Sequence, residues 1–128
     1  MNIEKGKNMK YEYSPDRLQK KYEDESIMKK KYGIEISTNM MKFLNALEAA
    51  DNAYDIKCMP QFFMEHKKGN LNSYYSISLD KKKSKWRLMI QMLDKDGNVV
   101  FPTENEREFL QGIKKIRIKE LSEHYGEY

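Results

Sequence analysis

Cysteine and histidine are scarce in this 128-residue chain, which contains one cysteine and two histidines. A single cysteine excludes an internal disulfide and suits a reducing compartment such as the cytoplasm. So few thiol and imidazole ligands leave no zinc site of the usual type, and no cofactor is expected. The neighbours of Cys58 include Ile56, Met59 and Pro60, which favours a small core residue over a nucleophile.

Long apolar segments are also missing. No apolar run approaches the roughly 20 residues that a membrane-spanning helix needs, and the N-terminus lacks the apolar core of a signal peptide. We therefore expect a cytoplasmic protein without a membrane partner. At 15.3 kDa, the chain is long enough for one domain over residues 1–128.

Charge, in contrast, is abundant. Charged residues make up 34% of the sequence, and the formal net charge is +4, with an isoelectric point near 9.0. This balance favours an acidic partner, which could be a nucleic acid or an acidic protein. A modest positive excess is also common in proteins that bind neither.

Helical periodicity dominates the first half of the chain. Residues 1–13 carry no long period. Tyr11 and Tyr13 fit a short extended segment, and whether residues 1–13 are flexible or ordered stays open. Ser14 and Pro15 predict the start of a first helix that Gly33 closes. The second helix has one apolar face, formed by Ile36, Met40, Phe43, Leu44 and Leu47. The two helices are expected to form an antiparallel hairpin whose apolar stripe needs a cover.

A period of two replaces the helical period from Gln61 onward. Alternation predicts strands over residues 61–65, 73–79, 86–92 and 113–121. On the second of these, Ser76 and Ser78 are expected to point outward. Thr103 and Glu106 form a capping box that predicts a short helix before the last strand. The predicted fold class is α+β, with an N-terminal helical hairpin packed on a curled antiparallel sheet of about four strands.

Basic side chains are concentrated in this sheet half, in the turn after residue 65, in the lysine loop 81–85 and along the closing strand. The candidates for binding RNA through their charge are Lys67, Lys68, Lys115, Arg117 and Lys119. Cations interleaved with aromatic side chains are typical of single-stranded RNA recognition. Each element alone also fits a solvated turn or a half-buried strand.

Cleavage of RNA without a metal needs few groups. A base removes the proton of the 2′-hydroxyl, cations stabilise the pentavalent phosphate, and an acid protonates the leaving 5′-oxygen. Histidine titrates near neutrality, either Glu65 or Glu123 could act as the base, and an arginine can hold phosphate as a fork. The candidate catalytic residues are His66, Glu123, His124, Tyr125 and Arg87.

Four segments carry a family resemblance: the turn 65–70, the strand Tyr75–Leu79, the arginine-bearing strand Trp86–Ile90, and the strand Ile116–Leu121 followed by Glu123, His124 and Tyr125. Their order, over about residues 14–125, resembles the RelE/ParE toxin superfamily, in its HigB-like "killer protein" branch. The resemblance implies the toxin of a type II toxin-antitoxin system, a small α+β protein that cleaves mRNA in the ribosomal decoding site without a metal.

The resemblance also implies partners and roles. The partners are the ribosome and mRNA, and a cognate antitoxin that is usually a helix-turn-helix protein and carries the toxin to operator DNA. His66 and His124 would transfer protons with the help of Glu123 and Tyr125. The phosphate would be bound by Lys68, Arg87, Arg117 and Lys119.

The chain departs from the family pattern at three places. The family ends its last strand with an acid, tyrosine and then histidine, whereas His124 here precedes Tyr125. Alignment on Gly69-Asn70 puts Glu65 where the family has its loop histidine, and Leu71-Asn72 replaces a basic pair. Two alternatives therefore stay open, a catalytically weak or inactive RelE-fold binding module and a ParE-like gyrase inhibitor.

Overall fold

The computed structural model describes residues 9–123, which form five α-helices and five strands in the α+β arrangement that the sequence predicts. The helices are α1 (Leu18–Tyr22), α2 (Glu25–Tyr32), α3 (Ile34–Ala49), α4 (Ala53–Lys57) and α5 (Glu106–Gln111). The strands are β1 (Lys10–Tyr13), β2 (Glu65–His66), β3 (Tyr74–Ile77), β4 (Arg87–Leu93) and β5 (Lys115–Ser122). None of these helices is long and apolar enough to cross a bilayer.

The strands form one mixed sheet in the order β1-β5-β4-β3-β2. β2 to β5 pair antiparallel, whereas β1 pairs parallel to β5. The expectation of about four antiparallel strands therefore missed β1, which lies in the segment whose order the sequence left open. Four residues are too few to show a period, and the partner strand lies at the opposite end of the chain.

The helices cover one face of the sheet. The predicted apolar face of α3 is confirmed, since its five apolar side chains are all buried. They belong to one core with the strand residues Ile77, Leu88, Ile90, Ile116 and Ile118. α2 packs against α3, and Gly33 alone connects the two helices.

Strand register divides the remaining side chains of the sheet between its two faces. Tyr75 is paired with Ile90, and Ile90 with Ile118, and all three are buried in the core beneath the helices. We call this side the helix face. Because successive side chains of a strand alternate, neighbours such as Gln91 and Arg117 point to the opposite side, which we call the second face.

Two local predictions were wrong. Ser76 and Ser78 are 1% and 0% exposed rather than solvated. Ser76 does lie on the second face, away from the helices, but it is buried there together with its partner Met89. The Ser78 N–H donates to the Phe62 carbonyl oxygen at 2.9 Å, which holds this residue against the neighbouring chain. The strand predicted over residues 61–65 is replaced by a 3-10 helix at Pro60–Phe62. Proline at its first position and a left-handed Phe63 at its end prevent an extended run.

Candidate nucleic-acid interface

The strand register brings two of the discussed residues, Glu65 and Arg87, to the same face. Glu65 is paired with Ser76, and Ser76 with Met89. Side chains of paired residues share a face, so these three belong to the second face. Arg87 lies two residues before Met89 on β4 and points the same way. The sequence indicates Glu65 only as one of two possible bases. In the structure, Glu65 is the residue of β2 whose side chain lies on the same face as Arg87.

His66 lies on the helix face instead. It is paired with Tyr75, and the two rings lie 5.0 Å apart between centroids. Its Nε2 is 2.9 Å from the carbonyl oxygen of Asn72. The Tyr75 hydroxyl donates to Glu106 at 2.9 Å, and burial together with this carboxylate raises the pKa of Tyr75. The sheet thus separates His66 from Arg87. His66 is one residue after Glu65 on β2, and neighbouring residues of a strand point to opposite faces.

Glu65 is surrounded by cations. The Lys82 ammonium forms an ion pair with Glu65 and is the main reason why the pKa of this carboxyl lies below its usual range. Burial opposes this shift as the second-largest influence, and the charges of Lys67 and Arg87 add smaller effects that lower the pKa of Glu65. The carboxylate is therefore ionised at neutral pH. We call Glu65, Lys67, Lys82 and Arg87 the Glu65 cluster; Lys68 follows as an exposed residue of the adjoining turn.

Lys82 comes from the lysine loop between β3 and β4 and was not among the predicted site residues. The Ser78 hydroxyl accepts a hydrogen bond from the Lys82 N–H at 2.8 Å, and the Lys83 N–H donates to the Asp80 carbonyl oxygen at 3.1 Å. Ser78 and Asp80 are both buried. These bonds fix a loop that composition alone describes only as a basic turn, and they direct one of its lysines to Glu65.

Among the described residues, the hydrogen bonds of the Arg87 side chain go to backbone carbonyls. Its Nη1 donates to the carbonyl oxygens of Ser84 and Trp86 at 2.7 and 2.9 Å. Between residues 9 and 123, no carboxylate forms a salt bridge with it. A guanidinium has about five N–H donors in a planar fork, so the two carbonyls orient the group without using its capacity to bind a phosphate.

Two of the predicted RNA-binding residues are instead paired with an acid that the sequence analysis missed. Arg117 Nε donates to Glu12 at 2.8 Å, and the Lys115 ammonium is 3.4 Å from the other oxygen of this carboxylate. Both contacts lower the pKa of Glu12, with Arg117 as the larger cause. Arg117 also donates to the Gly97 carbonyl oxygen at 3.2 Å. The alternation of Tyr11 with Glu12 was the only available signal for this partner.

Lys119 lies where the pairing of β4 and β5 is irregular. Leu88 is paired with Leu121 but Ile90 with Ile118, so β5 contains one extra residue between these pairs. Such a bulge interrupts the strict alternation of side chains. Lys119 is half-buried there and forms no salt bridge with another described residue.

The end of β5 leads to Arg87. Ser122, the last residue of the strand, is paired with Arg87, and the exposed Glu123 follows directly. The remaining catalytic candidates, His124 and Tyr125, lie outside the described residues. Of the predicted catalytic set, the described part of the chain therefore places Glu123 one residue after the strand partner of Arg87 and leaves His66 on the other face.

Two further features bear on metal binding and on the single thiol. Between residues 9 and 123, no group of three or more histidine, cysteine, aspartate or glutamate side chains could hold a metal ion. Cys58 is exposed, so the expectation of a core cysteine was wrong. It follows the short helix α4, which buries Ala53 and Ile56 and leaves the next residue turned outward.

The Glu65 cluster combines a carboxylate that can accept a proton with three cations that can bind a phosphate. The chain was compared with protein-family models, with curated proteins and with solved structures, and none of the three comparisons gives a significant match.

Proposed function

We propose that this chain is the toxin of a type II toxin-antitoxin system, a ribosome-dependent and metal-independent endoribonuclease that cleaves mRNA and inhibits translation. The observation that carries the proposal is the Glu65 cluster, with the end of β5 beside it. The cluster offers a carboxylate as proton acceptor and the positive charge that a phosphate transition state needs. The ion pair with Lys82 makes this carboxylate a weaker base than an ordinary glutamate.

In the proposed reaction the Glu65 carboxylate takes the proton of the 2′-hydroxyl. The 2′-oxygen then bonds to the adjacent phosphorus, and the bond from phosphorus to the 5′-oxygen breaks. Arg87 and Lys67 stabilise the extra negative charge on the pentavalent phosphate. Donation of a proton to the 5′-oxygen leaves a 2′,3′-cyclic phosphate and a 5′-hydroxyl. His124 or Tyr125 is the proposed proton donor, and Glu65 is the base in place of the proton transfer that the resemblance implies for His66.

The proposal includes a RelE-like architecture. The packed pair of α2 and α3 would be the helical hairpin of the family, and β2 to β5 would be its curled antiparallel strands. Support comes from the element order, in which α1 to α4 precede the antiparallel strands, and from an arginine at the start of β4. The whole chain of residues 1–128 would then be one toxin domain.

The proposed partners follow from this activity. The ribosome would present the mRNA, so the protein would act in the cytoplasm. A cognate antitoxin, expected to be a helix-turn-helix protein, would neutralise the toxin and carry it to operator DNA. The net charge of +4 supports an acidic binding surface on at least one of these partners.

Induced expression in bacteria tests the proposal. The wild-type chain should arrest growth, and primer extension on a translated mRNA should show discrete cuts. Glu65→Gln and Arg87→Ala should each relieve the arrest and reduce cleavage by about 100-fold or more, since a positioned base contributes about 10²–10⁴-fold. His66→Gln should remain toxic because His66 lies on the helix face.

Arg107→Ala is the matched control for Arg87→Ala. Arg107 is an exposed arginine of α5 that lies 5.3 Å from the ring centroid of Tyr54, and its loss should not change toxicity. If Glu65→Gln and Arg87→Ala both stayed fully toxic, the proposed site would be refuted. Relief by His66→Gln alone would return the role of base to His66.

A catalytically weak or inactive binding module on the same fold is the second candidate. The pairing of Lys115 and Arg117 with Glu12 favours it, because this carboxylate holds both side chains and offsets one of their two positive charges. Absence of mRNA cuts at high expression, with the antitoxin still bound, would support this candidate. DNA-damage signalling without mRNA cuts would instead support a ParE-like gyrase inhibitor.

A further inference from the structure

An exposed aromatic ring lies beside the Glu65 cluster in a backbone conformation that aromatic residues rarely adopt. Phe63 has φ +46° and ψ +48°, in the left-handed region, and its side chain is 37% exposed. Its neighbours Phe62 and Met64 are 2% and 5% exposed. The left-handed residue thus places a phenyl ring at the surface between two side chains that remain in the core.

The ring is in contact with the lysine that pairs with Glu65. The Lys82 ammonium lies 5.5 Å from the centroid of the Phe63 ring, and Lys82 itself has φ +63°. Within residues 9–123 only Phe63, Lys81 and Lys82 combine a positive φ with a side chain. Two of these three unfavourable conformations therefore build one contact. Strained residues that cluster in this way are found at binding and active sites more often than elsewhere.

The surrounding bonds hold this contact in place from both sides. The Phe62 carbonyl oxygen accepts from the Ser78 N–H at 2.9 Å, and the Met64 carbonyl oxygen accepts from the Lys57 ammonium at 2.9 Å. Phe63 is therefore flanked by two anchored residues. An aromatic ring on an anchored backbone loses little conformational freedom when a planar ligand stacks on it.

We propose that Phe63 is a stacking platform for one nucleobase of the RNA, next to the phosphate that the Glu65 cluster binds. This inference rests on the proposed function and adds a base-binding subsite to it. Stacking on an aromatic ring tolerates every base, because each base has a π-face. The platform would therefore orient the RNA strand rather than select its sequence.

Nuclear magnetic resonance titration of the full-length protein with a trinucleotide tests this inference. All riboses of the trinucleotide carry 2′-O-methyl groups, so it cannot be cleaved. Phe63→Leu and Phe63→Asn should weaken binding by about 5- to 150-fold, the loss that corresponds to one stacked base. Phe63→Tyr should bind as the wild type does. Asparagine tolerates the left-handed conformation, so Phe63→Asn removes the ring without added backbone strain.

A second set of trinucleotides, each with one base removed, identifies the stacked position. When the missing base is the one that stacks on Phe63, wild type and Phe63→Leu should bind the trinucleotide equally, because neither can make the stacking contact. Arg87→Ala separates this inference from the proposed function. The stacking platform is refuted, and the nuclease proposal stands, if Arg87→Ala weakens binding but neither Phe63→Leu nor Phe63→Asn does. If none of these variants changes binding, or if the wild type does not bind, the platform and the nuclease proposal are both refuted. If Phe63 variants lose only antitoxin binding, the ring is a protein contact and the platform is refuted.

Discussion

At the scale of single residues, Tyr22 makes a buried hydrogen bond between α1 and β5. Its side chain is fully buried, and its hydroxyl oxygen accepts the Leu121 N–H at 2.7 Å. Tyr22→Phe would leave this N–H of β5 without its partner inside the protein. A buried donor without a partner costs about 1–3 kcal/mol. We expect the free energy of unfolding to fall by that amount, measured by urea denaturation at pH 7.

Tyr11→Phe is the matched control for this prediction. The Tyr11 hydroxyl donates to Glu48 at 3.1 Å, but the bond is exposed to solvent. Water replaces the lost partner there, so the change should stay within about 0.5 kcal/mol. Equal stabilities of the two variants would show that the Leu121 N–H gains nothing from Tyr22.

At the scale of elements, the packing of α2 on α3 depends on one glycine. Gly33 has φ +93° and ψ +169°, a combination that is essentially restricted to glycine. No atom lies within 4 Å of the position where its Cβ would be. Gly33→Ala should therefore destabilise the protein through backbone strain alone, by about 1–3 kcal/mol. Thermal and urea unfolding would both report this loss.

Gly112→Ala provides the comparison at the end of another helix. Gly112 has φ −89°, and a Cβ there would make ordinary contacts, the nearest at 3.5 Å from the Phe109 carbonyl oxygen. Alanine also reduces the entropy of the unfolded chain, so the effect should stay within about 1 kcal/mol in either direction. If Gly112→Ala lowered the free energy of unfolding as much as Gly33→Ala, backbone strain at Gly33 would not be the cause of its effect.

Elements with a sustained period could be predicted from the sequence, whereas elements defined by tertiary contacts could not. α3 and β5 each bury one side of a regular pattern, and both lie close to where the pattern predicts them. Helix caps were less predictable, since several acceptors compete within one turn. Asn105 rather than Thr103 caps α5, through a bond from the Glu108 N–H to its side chain.

The candidate site shows the same limit. Arg87 could be identified because a lone arginine interrupts an apolar strand. The face of Glu65 and His66 could not, because β2 has two residues and its register is set by β3. Glu12 was missed for a related reason: its pairing with Arg117 requires a parallel contact between the two ends of the chain.

At the scale of the whole molecule, the second face of the sheet carries two groups of cations that differ in their partners. The Glu65 cluster has three cations around one carboxylate, whereas Lys115 and Arg117 share Glu12. RNA would therefore contact the first group more readily. Glu12→Gln should release the second group for phosphate contacts. We expect tighter binding of a single-stranded RNA and a steeper dependence of affinity on salt.

The expected change can be bounded. Each phosphate contact with a single strand contributes about 0.7 to the slope of log affinity against log salt, so two released cations add at most about 1.4. Fluorescence anisotropy between about 50 and 200 mM salt, where phosphate contacts change affinity strongly, would measure this slope. Glu108→Gln is the matched control, because it changes the net charge by the same amount as Glu12→Gln. Glu108 is an exposed residue of α5 and forms no salt bridge with another described residue.

The same Glu12 variant has a pH signature that confirms its fold is intact. Arg117 and Lys115 hold the pKa of Glu12 below its usual range. The stability from this pair is therefore present above the ordinary glutamate pKa and is lost as pH falls through the lowered value in the folded state. Glu12→Gln should be less stable at pH 7 by about 0.2–1 kcal/mol, as for exposed ion pairs, and the difference should vanish at low pH. If Glu12→Gln changed RNA affinity no more than Glu108→Gln while showing this signature, Lys115 and Arg117 would lie outside the RNA-binding surface.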